Sequence, residues 1–313
     1  MLSLSQLLFK GVDIFFEKPQ NAVTFDNITC VKDIAYANES EAEKGDVYYD
    51  KNFIRPDKKM PIVVYIHGGG FVMGDKKYRR TISEFFAHNG FFVYDINYRM
   101  PPEVIFPEYV NDFIDAVNYL PTLKEEFDFI DLDRVVITGD SSGGHATSYV
   151  AAVAYDDELR KNIGAHELKV KLSAIIPCCG MYDLRRLFKI HFPALILSDM
   201  AYMILGEKVS PTLLDLDKCH YFKYLSPIDF VNKDWCPTFI VWGRDDLICL
   251  GQGKPMYRKL LDNFIETDSF VAKGIWNNHC YHLMFRKPIA VKAMNESVDF
   301  VRSVFADMDK EAG

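Results

Sequence analysis

The hydrophobic positions along the chain alternate between two kinds of pattern. Short apolar runs at Ile28 to Tyr36, Asp46 to Tyr49, Pro61 to Ile66, Phe91 to Ile96, Arg134 to Thr138, Leu172 to Pro177, Thr238 to Trp242 and Ser269 to Val271 predict strands. Between them, Tyr78 to His88, Tyr109 to Leu120, His145 to Tyr155, a segment from Pro255 and Pro288 to Phe305 follow helical spacing; Val110, Phe113, Ile114 and Val117, for example, share one face. Unbroken Val/Ile strands alternating with helices predict an α/β fold with a mostly parallel sheet covered on both faces.

Two stretches depart from this rhythm. In Met1 to Phe16, the residues Leu4, Leu7, Leu8, Ile14 and Phe15 recur at helical spacing. The stretch lacks a basic n-region and a small-residue cleavage site, so it reads as an amphipathic helix rather than a signal peptide. From about Met181 to Asp229 the chain is rich in apolar side chains such as Phe188, Leu195, Met200 and Leu205. This predicts a helical insertion over the carboxyl ends of the strands, where open α/β sheets bind ligands.

Composition narrows the picture. The 313 residues are 49% hydrophobic, a length and content that can bury a core without disulfides or metal. No internal repeat or low-complexity linker divides the chain, and no run of 18 apolar residues predicts an integral membrane span. The net charge of -8 comes from acidic residues spread along the chain, which argues against nucleic acid as a partner. The seven cysteines are odd in number and include no C-x-x-C pair, so reduced thiols in a cytoplasmic protein are expected, with no metal site.

The candidate chemistry begins at Val135-Val136-Ile137-Thr138-Gly139-Asp140-Ser141-Ser142-Gly143-Gly144, a buried strand running into a helix through G-x-S-x-G. Such a corner presents the hydroxyl of Ser141 at the carboxyl edge of the sheet, beside a helix amino terminus that favours developing negative charge. Upstream, His67-Gly68-Gly69-Gly70-Phe71 follows a strand directly. Glycines there let backbone N–H groups turn toward an oxyanion, and Gly68 and Gly69 are the expected donors from that side, opposite the N–H of Ser142. Neither a Walker-type G-x-x-x-x-G-K-[ST] nor a G-x-G-x-x-G at this strand supports nucleotide binding.

A serine nucleophile needs a base and a group to orient it, in the chain order Ser, acid, His. The strand Thr238 to Trp242 ends in Gly243-Arg244-Asp245-Asp246-Leu247, where Asp245 is the expected acid and Asp246 the alternative. The last strand leads to Asn278-His279-Cys280-Tyr281-His282, where His279 is the expected base and His282 the alternative. His88, His166 and His191 lack strand-end contexts and are expected to serve surface or packing roles.

In these segments the chain resembles the hormone-sensitive-lipase branch of the α/β-hydrolase family. The likeness runs from about Asp46 onward. It rests on His67 to Asp75, on Tyr98-Arg99-Met100-Pro101-Pro102-Glu103 with Phe106-Pro107, on Gly139 to Gly144, on Ser226-Pro227, and on the Asp245 and His279 loops. Ser142 stands where alanine is usual, Met100-Pro101 where Leu-Ala is usual, and Asp246 where proline is common.

The resemblance implies one α/β-hydrolase domain over residues 1–313, with a cap built from about 1–20 and about 181–229. It implies a serine esterase acting on short to medium acyl esters through an acyl-enzyme, with Ser141, Asp245 and His279 as triad and no cofactor. The expected partner is a small-molecule ester, and a homo-oligomer is left open. Amide hydrolysis on the same fold and a non-catalytic ligand-binding role are the alternatives.

Overall fold

The computed structural model describes residues 2–189 and 194–312; His191 lies outside them. Helix α1 (Leu4–Gln20) is followed by β1 (Ile28–Ala35), β2 (Lys44–Asp50), β3 (Met60–Ile66), α2 (Arg80–His88) and β4 (Phe92–Ile96). Then come α3 (Glu108–Asn118), α4 (Leu120–Glu126), β5 (Ile130–Asp140), α5 (Ser142–Tyr155), α6 (Asp157–Ile163) and β6 (Ala174–Cys178). Helices α7 (Leu184–Lys189) and α8 (Ala194–Leu205), with short 3-10 turns, precede β7 (Thr238–Gly243), α9 (Gly253–Asp262), β8 (Thr267–Ala272) and α10 (Pro288–Ala312).

The eight strands form one sheet in the order β1-β2-β4-β3-β5-β6-β7-β8. The β1-β2 and β2-β4 pairs are antiparallel and all later pairs parallel, as the unbroken Val/Ile strands predict. Ile62, Val63, Val64 and Ile66 of β3 and Val135, Val136 and Ile137 of β5 are fully buried, so both faces of the sheet centre carry core. One face packs on α3 and α5 through Ile114, Val117, Tyr149 and Val153. The other packs on α2 and α10 through Phe86, Met294, Val298 and Val301. Burial of each such side chain contributes roughly 1.5–3 kcal/mol. Two short helices, α4 and α6, escape the periodicity because seven residues are too few to show it; α6 is instead set by its Asp156 cap on the Leu159 N–H and by Gly164 at φ 66°.

The first helix forms where predicted but turns the opposite way. Its capping box is complete, with Ser3 accepting the Gln6 N–H and the Gln6 side chain accepting the Ser3 N–H. The residues it buries are Ser5, Gln6 and Asp13, whereas Leu4, Leu7, Leu8, Ile14 and Phe15 are exposed, Phe15 at 75%. The physical reason lies in specific inward partners. The Ser5 N–H and the Ser3 hydroxyl donate to Asp199 on α8 (2.7 and 2.8 Å), and Gln6 Nε2 donates to the Pro101 carbonyl (3.0 Å). The apolar stripe expected to close over the site therefore faces outward.

Candidate active site

The site sits at the carboxyl ends of the parallel strands. β5 enters a sharp corner into α5, and Ser141 occupies that corner at φ 56°, ψ -119°, a conformation that costs a non-glycine residue of order 1–3 kcal/mol. Two backbone bonds hold it there: the Ser141 N–H donates to the Cys178 carbonyl (2.9 Å) and the His145 N–H to the Ser141 carbonyl (3.0 Å). Gly139 and Gly143 are required because a Cβ on either would run into the Ile66 carbonyl of β3.

The Ser141 Oγ lies 2.8 Å from His279 Nε2, and His279 Nδ1 lies 2.9 Å from Asp246 Oδ2. A ring protonated at Nδ1 thus donates to the carboxylate and offers its Nε2 lone pair to the serine hydroxyl. Asp246 is buried, and its Oδ1 also accepts the N–H groups of Ile248 and Cys249 (2.8 and 2.9 Å). Burial opposes its charge, but the facing imidazole and these N–H donors hold its pKa below the ordinary carboxylate value. In return, although burial disfavours the imidazolium, the Asp246 charge raises the His279 pKa above its ordinary value.

The expectation for Asp245 is corrected. Its carboxylate does not reach His279; it accepts the Gly274 N–H (2.7 Å) and pairs with Arg244 (3.1 Å) at the surface. One residue of difference at the end of β7 reverses the direction of the side chain, and the turn Asp246 to Leu250 uses Asp246 as its buried cap. The legible signal was this cap: an aspartate immediately before the apolar turn Leu247-Ile248-Cys249 can accept the N–H groups two and three positions on. The alternative histidine, His282, is buried beside Cys179, with Nδ1 3.8 Å from that sulfur, away from Ser141.

The glycine loop after β3 approaches the nucleophile closely, since a Cβ on Gly68 would lie 2.9 Å from Ser141 Cβ. The Gly68 N–H, however, donates to Asp140 Oδ1 (3.2 Å). Among the described residues, the N–H groups of Gly69, Gly70 and Ser142 have no protein acceptor. The donors available at this corner are therefore Gly69, Gly70 and Ser142 rather than Gly68. Phe9 of α1 rests on Gly70, where a Cβ would clash with its ring.

Sequence reasoning missed Arg79 and Asp140. Asp140, buried next to the nucleophile, takes two bonds from the Arg79 guanidinium (2.7 and 2.8 Å) and one from the Tyr65 hydroxyl (2.9 Å). Burial works against this carboxylate, yet the Arg79 charge keeps its pKa well below the ordinary value. With its bond from Gly68, Asp140 ties the glycine loop to the serine corner. Asn278 likewise joins the other two loops: its Oδ1 accepts the N–H groups of Leu247 and His279 (3.0 and 2.8 Å).

Residues 46–260 match the BD-FAE family. The chain is 26% identical over 219 residues to the probable carboxylic ester hydrolase LipM of Mycobacterium tuberculosis, covering 68% of this chain and 47% of that protein. It is 35% identical over 109 residues to the tuliposide A-converting enzyme 2 of Tulipa gesneriana, covering 31% of this chain and 28% of the relative. The chain thus spans about half the length of LipM, and its match to the tulip enzyme is shorter still. Among solved structures, a C6-C4 SN3 inhibited Esterase B from Lactobacillus rhamnosis superposes with a TM-score of 0.86 at 19% identity, over 98% of this chain and 97% of that one. Likeness at that identity speaks for the fold, an α/β-hydrolase sheet with its flanking helices. Among the described residues, no helix is long and apolar enough to cross a membrane.

Proposed function

The chain belongs to the BD-FAE family and is a hormone-sensitive-lipase-like α/β-hydrolase, and from that premise we propose that it is a serine carboxylic ester hydrolase acting through an acyl-enzyme. The observation that carries the reading is the continuous relay from Ser141 Oγ through His279 to Asp246, with bonds of 2.8 and 2.9 Å. In this reading His279 Nε2 takes the Ser141 proton as Oγ attacks the ester carbonyl. Asp246 holds the ring with Nδ1 protonated and stabilises the imidazolium that forms. The N–H groups of Gly69, Gly70 and Ser142 receive the tetrahedral oxyanion, at the amino end of α5, where the helix dipole adds to their effect. His279 then gives its proton to the departing alkoxide, and water repeats the sequence on the acyl-enzyme.

A complete relay favours turnover over a ligand-binding role. Helices α1 and α8, joined through Ser3, Ser5 and Asp199, act as the cap over the strand ends. The C4-C4 SN3 tributyrin phosphonate named as inhibitor in another Esterase B structure supports a preference for short to medium acyl esters. Free thiols at all seven cysteines suit a reducing, cytoplasmic compartment.

The test is hydrolysis of p-nitrophenyl butyrate and labelling by a fluorophosphonate. Ser141→Ala is expected to lower kcat by about 10⁴ to 10⁶ and to abolish the label. A Ser141→Ala protein that turns over at the parent rate would overturn the mechanism.

A further inference from the structure

Beneath the relay lies a third potential ligand that the proposed hydrolysis does not use. Cys249 Sγ is 3.5 Å from His279 Nδ1, and its S–H donates to the Cys179 carbonyl (2.7 Å). The sulfur, His279 Nδ1 and an Asp246 carboxylate oxygen all lie within 4.8 Å of one another. The side chains converge because the turn capped by Asp246 brings residue 249 back under the acid, and Asn278 fixes the histidine loop against that turn.

The sulfur–nitrogen spacing matches a small cation held between those two atoms, and the Asp246 oxygen, 2.9 Å from Nδ1 across the present hydrogen bond, moves out to about 3.4 Å to complete the tetrahedral set. With Zn–S of about 2.3 Å and Zn–N of about 2.0–2.1 Å, tetrahedral angles place sulfur and nitrogen ligands about 3.5 Å apart. One thiolate, one imidazole and one carboxylate suit a borderline-soft divalent ion and leave a fourth position open, whereas Mg²⁺ and Ca²⁺ favour all-oxygen ligand sets. His279 is the partly exposed member, with 16% of its side chain accessible, so the ion's route runs past the imidazole from the cleft.

We propose that Asp246, Cys249 and His279 form an inhibitory site for a borderline-soft divalent cation of the Zn²⁺ and Cd²⁺ class. Binding releases one proton, from Cys249 Sγ, moves the single ring proton of His279 from Nδ1 to Nε2, and forms metal–sulfur, metal–nitrogen and metal–oxygen bonds without any redox change. The inhibitory consequence rests on the hydrolase reading above. A neutral imidazole metallated at Nδ1 carries its one proton on Nε2, facing Ser141. It then has no lone pair with which to accept the serine proton, and the nucleophile is not activated.

The experiment uses the full chain as parent, Ser141→Ala and Cys249→Ala, titrated with Cd²⁺ and followed by the ultraviolet thiolate-to-metal charge-transfer band. In parallel, Zn²⁺ inhibition of p-nitrophenyl butyrate hydrolysis is measured before and after EDTA. Parent and Ser141→Ala are expected to bind one Cd²⁺ with the band. Zn²⁺ is expected to inhibit the parent reversibly, and Cys249→Ala, with basal kcat/KM within about twofold of the parent, to lose the band and need at least about 10-fold more Zn²⁺. If Cys249→Ala does not fold, Cys249→Ser reads the same two signals. No band in the parent, a band that survives loss of Cys249 (which would assign it to a thiol such as the exposed Cys30), or equal Zn²⁺ sensitivity of the variant overturns the proposal. The two readings fail separately. A parent that binds Cd²⁺ through Cys249 yet hydrolyses no ester removes the hydrolase reading and leaves the cation site, while an active parent with no band does the reverse.

Discussion

Helices α1 and α10 are both amphipathic by the spacing of their apolar residues, and the fold uses them in opposite senses. α10 turns Ala293, Met294, Val298 and Val301 into the core beneath the sheet. α1 turns Leu4, Leu7, Leu8, Ile14 and Phe15 to the outside and buries Ser5, Gln6 and Asp13. Periodicity separates two faces; it does not say which one goes inward. That is decided by the surface awaiting the helix. Under α10 lies the apolar underside of β5 to β8, while under α1 lie the Asp199 carboxylate, the Pro101 carbonyl and the Arg79 guanidinium. The same ambiguity recurs at the scale of one residue after β7, where Asp245 points to the surface and Asp246 to the histidine.

The residue-scale version should give the largest effect. Asp246→Asn removes the charge that stabilises the His279 imidazolium and permits the wrong tautomer, so kcat should fall by about 10³ to 10⁴. Asp245→Asn, which loses only a surface pair with Arg244 and a weakened bond to Gly274, should change kcat by less than about threefold. Steady-state kinetics on p-nitrophenyl butyrate check both, and reversed sizes would return the acid to position 245. The pH profile sharpens the same contrast. Because Asp246 raises the His279 pKa, and because the base must be unprotonated to act, activity should be lost on acidification with a midpoint above 6.5. That midpoint should move downward in any residual activity of Asp246→Asn and stay in place in Asp245→Asn.

Much of this was readable before the structure, and the unreadable part has a common physical character. Strands β3, β5 and β7 announce themselves because both faces are buried, and the Ser141 corner by its glycines; the final loop offers two histidines, and only the fold brings His279 rather than His282 to the Ser141 hydroxyl. The Asp246–His279 contact, the turn of the Gly68 N–H toward Asp140, and the Arg79–Asp140 pair depend instead on where one N–H or one carboxylate points. Arg79 and Asp140 are 61 residues apart, and nothing local in Lys76-Lys77-Tyr78-Arg79-Arg80 distinguishes the two buried cations, Lys76 and Arg79, from Lys77 and Arg80 beside them. Long-range pairing of polar groups leaves no periodic trace.

On α10, Val298 is 1% exposed, so Val298→Asp places an unpaired charge in the core and should cost about 3–5 kcal/mol. Urea titration of the purified protein measures this, and a loss below about 1 kcal/mol would show that α10 does not pack as described. On α1, the buried polar face carries a milder pH-dependent cost. Burial raises the Asp13 pKa to about 6, against the lowering influence of Arg79. A folded-state pKa above the unfolded 3.8 means that the native state holds the proton more tightly, so stability is lost as pH rises from about 4 through about 6. Asp13→Asn removes that loss and should raise Tm at pH 8 by about 2 °C while leaving Tm at pH 4 nearly unchanged. A Tm difference that is the same at both pH values would detach Asp13 from the effect.

The smallest effect is expected on the outward face of α1, and its smallness is the point. Phe15 is 75% exposed and meets Phe16 edge-to-face at 5.0 Å between ring centres. Replacing it with serine removes little buried area, so Phe15→Ser should shift Tm by less than about 2 °C and kcat/KM by less than about twofold. Sequence spacing alone predicts the opposite, because Phe15 sits in the stripe that a conventional amphipathic helix would bury, where a loss of about 3–5 kcal/mol is usual for a large aromatic. Differential scanning calorimetry of this one variant therefore decides between the two orientations of α1. A drop in Tm as large as that of a core aromatic would mean that the stripe is packed in solution and the Ser5, Gln6 and Asp13 face is not the buried one.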